Sequence, residues 1–288
     1  MKFARLLDGK KETYGIVKGD RVASREEIVY STGVPLPTRL GGFLFEGWLA
    51  EVNDRLDGLE YERGLSEYGI MAPIAEPPKI FCLAFNYADH AQDQDRSPPD
   101  EPVIVMKPRT ALCGNGDDIV MPPFVKELDY EVELALIIGK RCRDVDVIGA
   151  KEAIFGYTIL NDVSARDIQF RDGQFTRAKG LDTFAPCGPW ITSADEVQDP
   201  GRLKMTTKVN GRARQDSSTS KMHIKPFEIV SKLSSSMTLE KGDIISTGTP
   251  SGVALNNPDS EYLAAGDEIE MEIEGLGVLR NTVRGTRE

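Results

Sequence analysis

The sequence predicts a mixed, strand-rich α+β fold, with a small N-terminal α/β domain over residues 1–75 and a larger β-rich domain over residues 76–288. Three observations carry this. Short apolar runs bounded by Gly, Pro, Asn and Asp outnumber helical patterns, which is the signature of many short strands. The few helical segments do not alternate with strands regularly enough for a doubly wound sheet. Ala75-Glu76-Pro77-Pro78-Lys79 places successive prolines where neither helix nor sheet can continue, which marks the boundary.

In chain order, residues 2–7, 14–17 and 21–23 read as short strands separated by turns, and residues 43–56 as a helix. Nothing in this stretch concentrates reactive groups, so it is assigned a scaffolding or dimer-shaping role. Beyond the prolines, residues 80–83 form a strand that delivers Asn86-Tyr87-Ala88-Asp89-His90. Residues 91–102 are polar and breaker-rich, with little apolar surface to hold them down, and are expected to act as a cover that opens and closes. Residues 103–106 form the next strand, and residues 127–138 follow the turn at Met121-Pro122-Pro123. Residues 147–155 are expected as a helix capped by Asp146, and residues 156–160 as a strand. Residues 169–184 read as a charged, glycine-containing loop; residues 204–210 and 242–246 as strands; and residues 226–234 as a helix. Strict alternation over residues 267–274 sets Ile269, Met271 and Ile273 against four glutamates, which is a half-exposed strand, and Gly275-Leu276-Gly277 turns it back into residues 278–283.

The chain has 288 residues, 40% of them hydrophobic and 28% charged, which is ordinary globular composition. A formal net charge of −11 argues against nucleic-acid or anionic-membrane partners, which need a basic surface. No apolar run approaches the roughly 20 residues of a membrane span. The first residues read as a strand rather than a signal peptide. The four cysteines lack C-x-x-C spacing and read as reduced thiols in a cytoplasmic protein. With only two histidines, His90 and His223, a histidine-rich metal site is excluded.

The chemistry concentrates between Asp129 and Gln169. Glu131 and Glu133 are two residues apart at the leading edge of the buried run Leu134 to Ile138, so the strand period aims both carboxylates to one side. Asp162 stands just past the end of the second strand-like run. Three carboxylates at the mouths of buried strands are costly unless a cation holds them. An all-oxygen donor set suits Mg²⁺ or Mn²⁺, with Ca²⁺ also accommodated, rather than Zn²⁺. Such an ion keeps positions free for a bidentate oxygen ligand such as a 2-oxo acid. As a Lewis acid it would stabilise developing enolate charge. His90 stands three residues before Asp93, a spacing at which a carboxylate on a helical turn can orient an imidazole acting as general base. Thr249, in Gly248-Thr249-Pro250-Ser251-Gly252, can offer its hydroxyl and backbone N–H to a substrate carboxylate. No Gly-Lys-Ser/Thr follows it, so it is not a nucleotide loop, and no G-x-S-x-G elbow occurs in the chain.

Glu131-Val132-Glu133 followed by Asn161-Asp162-Val163-Ser164-Ala165-Arg166-Asp167-Ile168-Gln169 resembles the signature of the fumarylacetoacetate hydrolase family. So do Asn86-Tyr87-Ala88-Asp89-His90, Met106-Lys107-Pro108, Val209-Asn210-Gly211 and Gly242-Asp243-Ile244-Ile245-Ser246-Thr247-Gly248-Thr249-Pro250-Ser251-Gly252-Val253. These pieces occur in family order across residues 76–285. The resemblance implies a fumarylacetoacetate hydrolase-type mixed β-roll for the larger domain and a homodimer. It implies Glu131, Glu133 and Asp162 as ligands of Mg²⁺ or Mn²⁺, and His90 as the base that activates water. It also implies Lys179 as a cation beside the metal, with Arg166 and Gln169 contacting the substrate or its hydrating water. The sequence departs from the common pattern in two places: Asp93 stands where glutamate is frequent, and Ala84-Phe85 where glycine and arginine often stand.

The resulting expectation is a divalent-metal-dependent hydrolase that cleaves a C–C bond in small anionic 2-oxo or diketo acids of the acylpyruvate or fumarylpyruvate kind. The alternative is an oxaloacetate-type decarboxylase, or a 2-hydroxyhepta-2,4-diene-1,7-dioate isomerase, using the same metal-enolate site. A non-catalytic ligand-binding protein on the same scaffold is a third reading from a different class.

Overall fold

A computed structural model describes residues 1–258 and 260–285. The chain folds as α+β, dominated by a long mixed sheet and a second, five-stranded one. The long sheet runs from Arg63–Gly64 through Arg21–Ser24, Lys11–Lys18, Lys2–Asp8, Ala185–Ser193, Ile154–Asn161, Val132–Ile138, Ile244–Ser246 and Ile80–Ala84 to Val103–Lys107. The second runs Arg212–Ser218, Lys204–Val209, Glu268–Ile273, Gly277–Gly285, Asp118–Met121.

The centre of the long sheet is fully buried. Val132–Ile138 is buried at every position, as the apolar run from Leu134 to Ile138 requires when both faces are covered. Side chains of one face, including Leu134, Leu136 and Ile159, pack against Met205, Met271 and Leu279 of the five-stranded sheet and against the helix Pro226–Ser236. The opposite face, including Ala135, Ile137 and Leu160, packs against Phe3, Phe43 and Ile244 in a core that draws on the first 75 residues. The sheet is continuous across the boundary expected near residue 75, because Phe3 pairs with Ile191 on one side and Ile16 on the other.

The strands expected near the N-terminus form. The helix expected over residues 43–56 breaks into Leu40–Phe45, Trp48–Val52 and a 3₁₀ turn, Asn53–Gly58, because Gly47 adopts φ 96°. A helix not anticipated, Arg25–Thr32, starts at Ser24 with a reciprocal capping box to Glu27. Asp146 caps Val147–Ala153 as expected, but the chain turns to strand at Ile154, two residues earlier than the pattern suggests. Residues 166–179, read as loop beyond Gln169, contain two short helices, Arg166–Asp172 and Thr176–Lys179. No helix among the described residues is long and apolar enough to cross a membrane, and all four cysteines are free.

Candidate active site

Four strand ends converge on one small cavity. Antiparallel pairing sets Val132 opposite Asn161 and Glu133 opposite Leu160. Glu131 therefore enters beside the end of the strand that carries Asp162. The Asp162 N–H donates to the Glu131 carbonyl at 3.0 Å, and the Glu131 N–H to Asn161 Oδ1 at 3.0 Å. Ser246 pairs with Ala135 and with Cys82, which brings Gly248-Thr249 and the Cys82–Phe85 segment to the same end. Gly248 sits at φ 92°, and a Cβ there would lie 3.0 Å from Asn86 Cβ. Glycine thus lets the backbone pass close enough for its N–H to donate to Glu133 Oε2 at 3.0 Å.

Asn86 and Tyr87 prove to be fasteners. Asn86 donates to the carbonyls of Ile224 and Thr247 and accepts from the Ile224 N–H. This pins the turn from which the short helix Ala88–Gln92 projects His90 into the cavity.

The three acids expected to hold a metal lie together, each almost fully buried. Their electrostatic surroundings differ. Glu131 accepts from Arg166 Nη2 at 2.6 Å and from Lys179 Nζ at 2.8 Å. Asp162 is held by Lys179 at 2.8 Å and by the wholly buried Lys107 at 2.6 Å. Glu133 has no lysine or arginine partner among the described residues. Its carboxyl is held well above the ordinary range by burial and by the charges of Asp162 and Glu131. Glu131 is held below it, since Lys179 and Arg166 outweigh the cost of burial. The cluster contains four carboxylates, counting Asp129, and three cations, Lys107, Lys179 and Arg166. That balance leaves room for added positive charge beside Glu133.

These residues fit a hard divalent cation. Ligand atoms of Glu133, Asp162 and Cys82 all lie within 4.8 Å of one another. Burial and the adjacent carboxylates push the Cys82 thiol well above its usual value, so it presents neutral sulfur and leaves the oxygens as the donors. The Lys179 ammonium, 2.8 Å from both Glu131 and Asp162 and 2.7 Å from Ser164 Oγ, bridges two of the three acids.

The structure corrects several assignments. Asp93 does not meet His90: its carboxylate accepts from Ser251 Oγ at 2.5 Å and its carbonyl from Asn256 Nδ2 at 3.0 Å. The group on His90 Nε2 is the Gln94 amide at 3.0 Å, one helical turn on, while Nδ1 is buried without a hydrogen-bond partner. Glu101, on the same polar segment, pairs with Lys232. Burial lowers the pKa of His90, leaving a neutral imidazole at pH 7. Arg166 lines the cavity and donates to Asp129, Glu131 and Gln169, so it orients the acids and Gln169. The Thr249 hydroxyl donates to the Val132 carbonyl and accepts from Gln215, so only its backbone remains to face a ligand.

Two residues carry roles that the spacing of motifs does not disclose. Lys107 lies in the Met106-Lys107-Pro108 match, but only tertiary structure places its Nζ on Asp162 and on the carbonyls of Val163, Lys179 and Phe184. Asp129 accepts from Arg166 and from the N–H groups of Ala254 and Leu255, tying the loop after Thr249 to the cluster.

Residues 79–284 match the family described as fumarylacetoacetate (FAA) hydrolase C-terminal. The chain is 43% identical over 220 residues to the mitochondrial oxaloacetate tautomerase FAHD2A of Bos taurus, covering 76% of this chain and 70% of that protein. It superposes on 2-hydroxyhepta-2,4-diene-1,7-dioate isomerase from Mycobacterium marinum with a TM-score of 0.78 at 33% identity, covering 100% of both chains. It also superposes on maleylpyruvate hydrolase from Sphingobium sp. SYK-6, in complex with manganese(II) and pyruvate, with a TM-score of 0.81 at 32% identity and the same coverage. Ordered motifs, fold and extent of match together show that this chain belongs to the fumarylacetoacetate hydrolase family.

Proposed function

We propose that the protein is a divalent-metal-dependent enzyme that interconverts the keto and enol forms of a small 2-oxo acid, moving a proton at the carbon next to the keto group. The observation that carries this reading is the state of His90. It is buried and neutral, its Nδ1 has no hydrogen-bond partner, and its ring partner on Nε2 is an amide rather than a carboxylate. A histidine that activates water gains from an adjacent anion that balances the imidazolium. The structure pairs that acid, Asp93, with Ser251 instead. A neutral imidazole can still take a proton from an acidified C–H bond and return it. The likeness to an oxaloacetate tautomerase supports the same class of reaction.

Glu131, Glu133 and Asp162 would hold Mg²⁺ or Mn²⁺, and the bound ion would supply Lewis acidity to chelated carboxylate and keto oxygens. Lys179 places its ammonium beside the same acids and adds positive charge where enolate oxygen develops. The Gln169 amide, held through Arg166, lines the cavity and orients the ligand. The cavity itself is small, about 20 Å³, with His90, Gln169 and Lys179 in its lining.

Hydrolysis of a C–C bond is the second reading, supported by the likeness to a maleylpyruvate hydrolase. Oxaloacetate, an acylpyruvate and a 2-hydroxydienoate supplied with Mn²⁺ separate the cases. Loss of the enol's ultraviolet absorbance without carbon fragments or CO₂ is expected. Two carbon fragments, or stoichiometric CO₂, would replace proton transfer by hydrolysis or decarboxylation. We also propose a homodimer, because the edge strand Val103–Lys107 leaves Val103, Ile104 and Met106 exposed. Light scattering should give twice the chain mass.

A further inference from the structure

The inner cavity opens into a wider recess of about 560 Å³, and the two share Phe85, Gln94, Val105, Gln169 and Phe175. A 2-oxo acid needs only its carboxylate and keto oxygen inside, so whatever continues beyond the reacting carbons must enter this recess. Its charged lining groups are Asp95 and Arg96, both on the polar segment after the His90 helix. The Arg96 N–H donates to the Ala91 carbonyl at 2.9 Å, which fixes its backbone at the end of that helix. Its guanidinium stands 4.9 Å from the Phe85 ring centre, and it has no carboxylate partner among the described residues.

Phe85 is itself held in an unusual place. Its backbone lies at φ 61°, a conformation that a bulky residue avoids. The hydrogen bonds of the adjacent Asn86 hold the turn there, and the ring stands edge-on to Phe175 at 6.3 Å. The result is an aromatic floor at the neck between the two spaces, with one cation resting on it. Against the strongly acidic balance of the whole chain, a guanidinium left to a ring rather than to a carboxylate is a group available for an anion.

We propose that Arg96 binds the distal carboxylate of the substrate, so that the preferred class is a 2-oxo acid with a second carboxylate beyond the reacting carbons. This rests on the 2-oxo-acid reading of the inner site. Arg96 is a specificity residue: it adds affinity for the far end of the ligand without touching the reacting atoms.

The test is calorimetric titration of the full chain in MnCl₂ with oxalate, 2-oxovalerate and 2-oxoglutarate. The last two differ by a methyl against a carboxylate at the far end. The parent should bind 2-oxoglutarate about tenfold more tightly than 2-oxovalerate, as one charge-assisted contact implies. Arg96→Gln should abolish that preference and leave oxalate unchanged, and Asp95→Asn should increase it by removing a like charge from the rim. Equal weakening of both acids by Arg96→Gln, or no change in either, would overturn the role of Arg96 while leaving the inner site intact, as oxalate binding would show. Failure of the parent to bind any of the three, oxalate included, would overturn the 2-oxo-acid reading and this proposal together.

Discussion

Replacing Lys107 with methionine should destabilise the protein more than the same change at Lys179. Its Nζ is wholly inaccessible, lies 2.6 Å from Asp162 Oδ1, and donates to the carbonyls of Val163 at 3.1 Å, Phe184 at 2.7 Å and Lys179 at 2.5 Å. Methionine fills the side-chain path as far as Cε but supplies no donor. Removing one partner of a buried ion pair costs about 3–5 kcal/mol, because the other charge is left in a poor solvent. Lys179 still reaches Asp162, which moderates that cost. The stranded carbonyls add to it, at about 1–3 kcal/mol for each buried acceptor left without any donor. A net loss of about 4 kcal/mol is the expectation, and at ~2 °C per kcal/mol for a chain this large it lowers Tm by about 8 °C. Lys179→Met should cost roughly half as much, since Glu131 keeps Arg166 and Asp162 keeps Lys107. Urea unfolding of the two variants in EDTA measures both. A Lys107→Met protein within about 1 kcal/mol of the parent, or more stable than Lys179→Met, would refute the assignment of Lys107 as the principal buried counter-charge.

The remaining predictions concern the acids, the histidine and one turn. Glu133 is held above its ordinary value of 4.5 in the folded chain, so it favours folding below pH 4.5 and loses that contribution as pH rises through its folded value. Glu133→Gln should therefore stabilise the metal-free protein at pH 7, with the difference from the parent vanishing below pH 4.5, while thermal stabilisation by added Mn²⁺ is reduced. His90 is held below 6.5, so its contribution is present above pH 6.5 and is lost as pH falls toward the folded value. In His90→Gln the acid limb of stability should be flatter across that window, and turnover should fall on the order of 10²- to 10⁴-fold, measurable by denaturation and rate assays. Gln94→Glu should give His90 the anionic partner it lacks and move the acid limb of the rate profile upward in pH, as the imidazolium is favoured. Gly248→Ala should reduce both stability and Mn²⁺ affinity, read by calorimetry, because a Cβ at that positive φ meets Asn86 and displaces the N–H on Glu133.

The site was legible in the sequence to the extent that it is local. The ordered motifs were enough to bring Glu131, Asp162, Lys179 and His90 to the same cavity. The strand-rich α+β class followed from short apolar runs between turn residues, which depends only on neighbours along the chain. Partners across the chain were not legible. Asp93 has the right spacing from His90 on a helical turn, but the helix ends at Gln92, and Ser251, from a loop 158 residues away, claims its carboxylate. The Thr249 hydroxyl reads as ligand-facing, yet the packed sheet closes it on protein groups, and the ion pairs of Arg166 with Asp129 and Glu131 were likewise invisible in the spacing of the motifs. Lys107 shows the same limit from the other side. A lysine before a proline on an edge strand reads as a surface residue until folding buries it among three carbonyls and a carboxylate. Periodicity determines which face a side chain takes. Which charge it meets there depends on how distant strands are registered, and only the tertiary structure decides that.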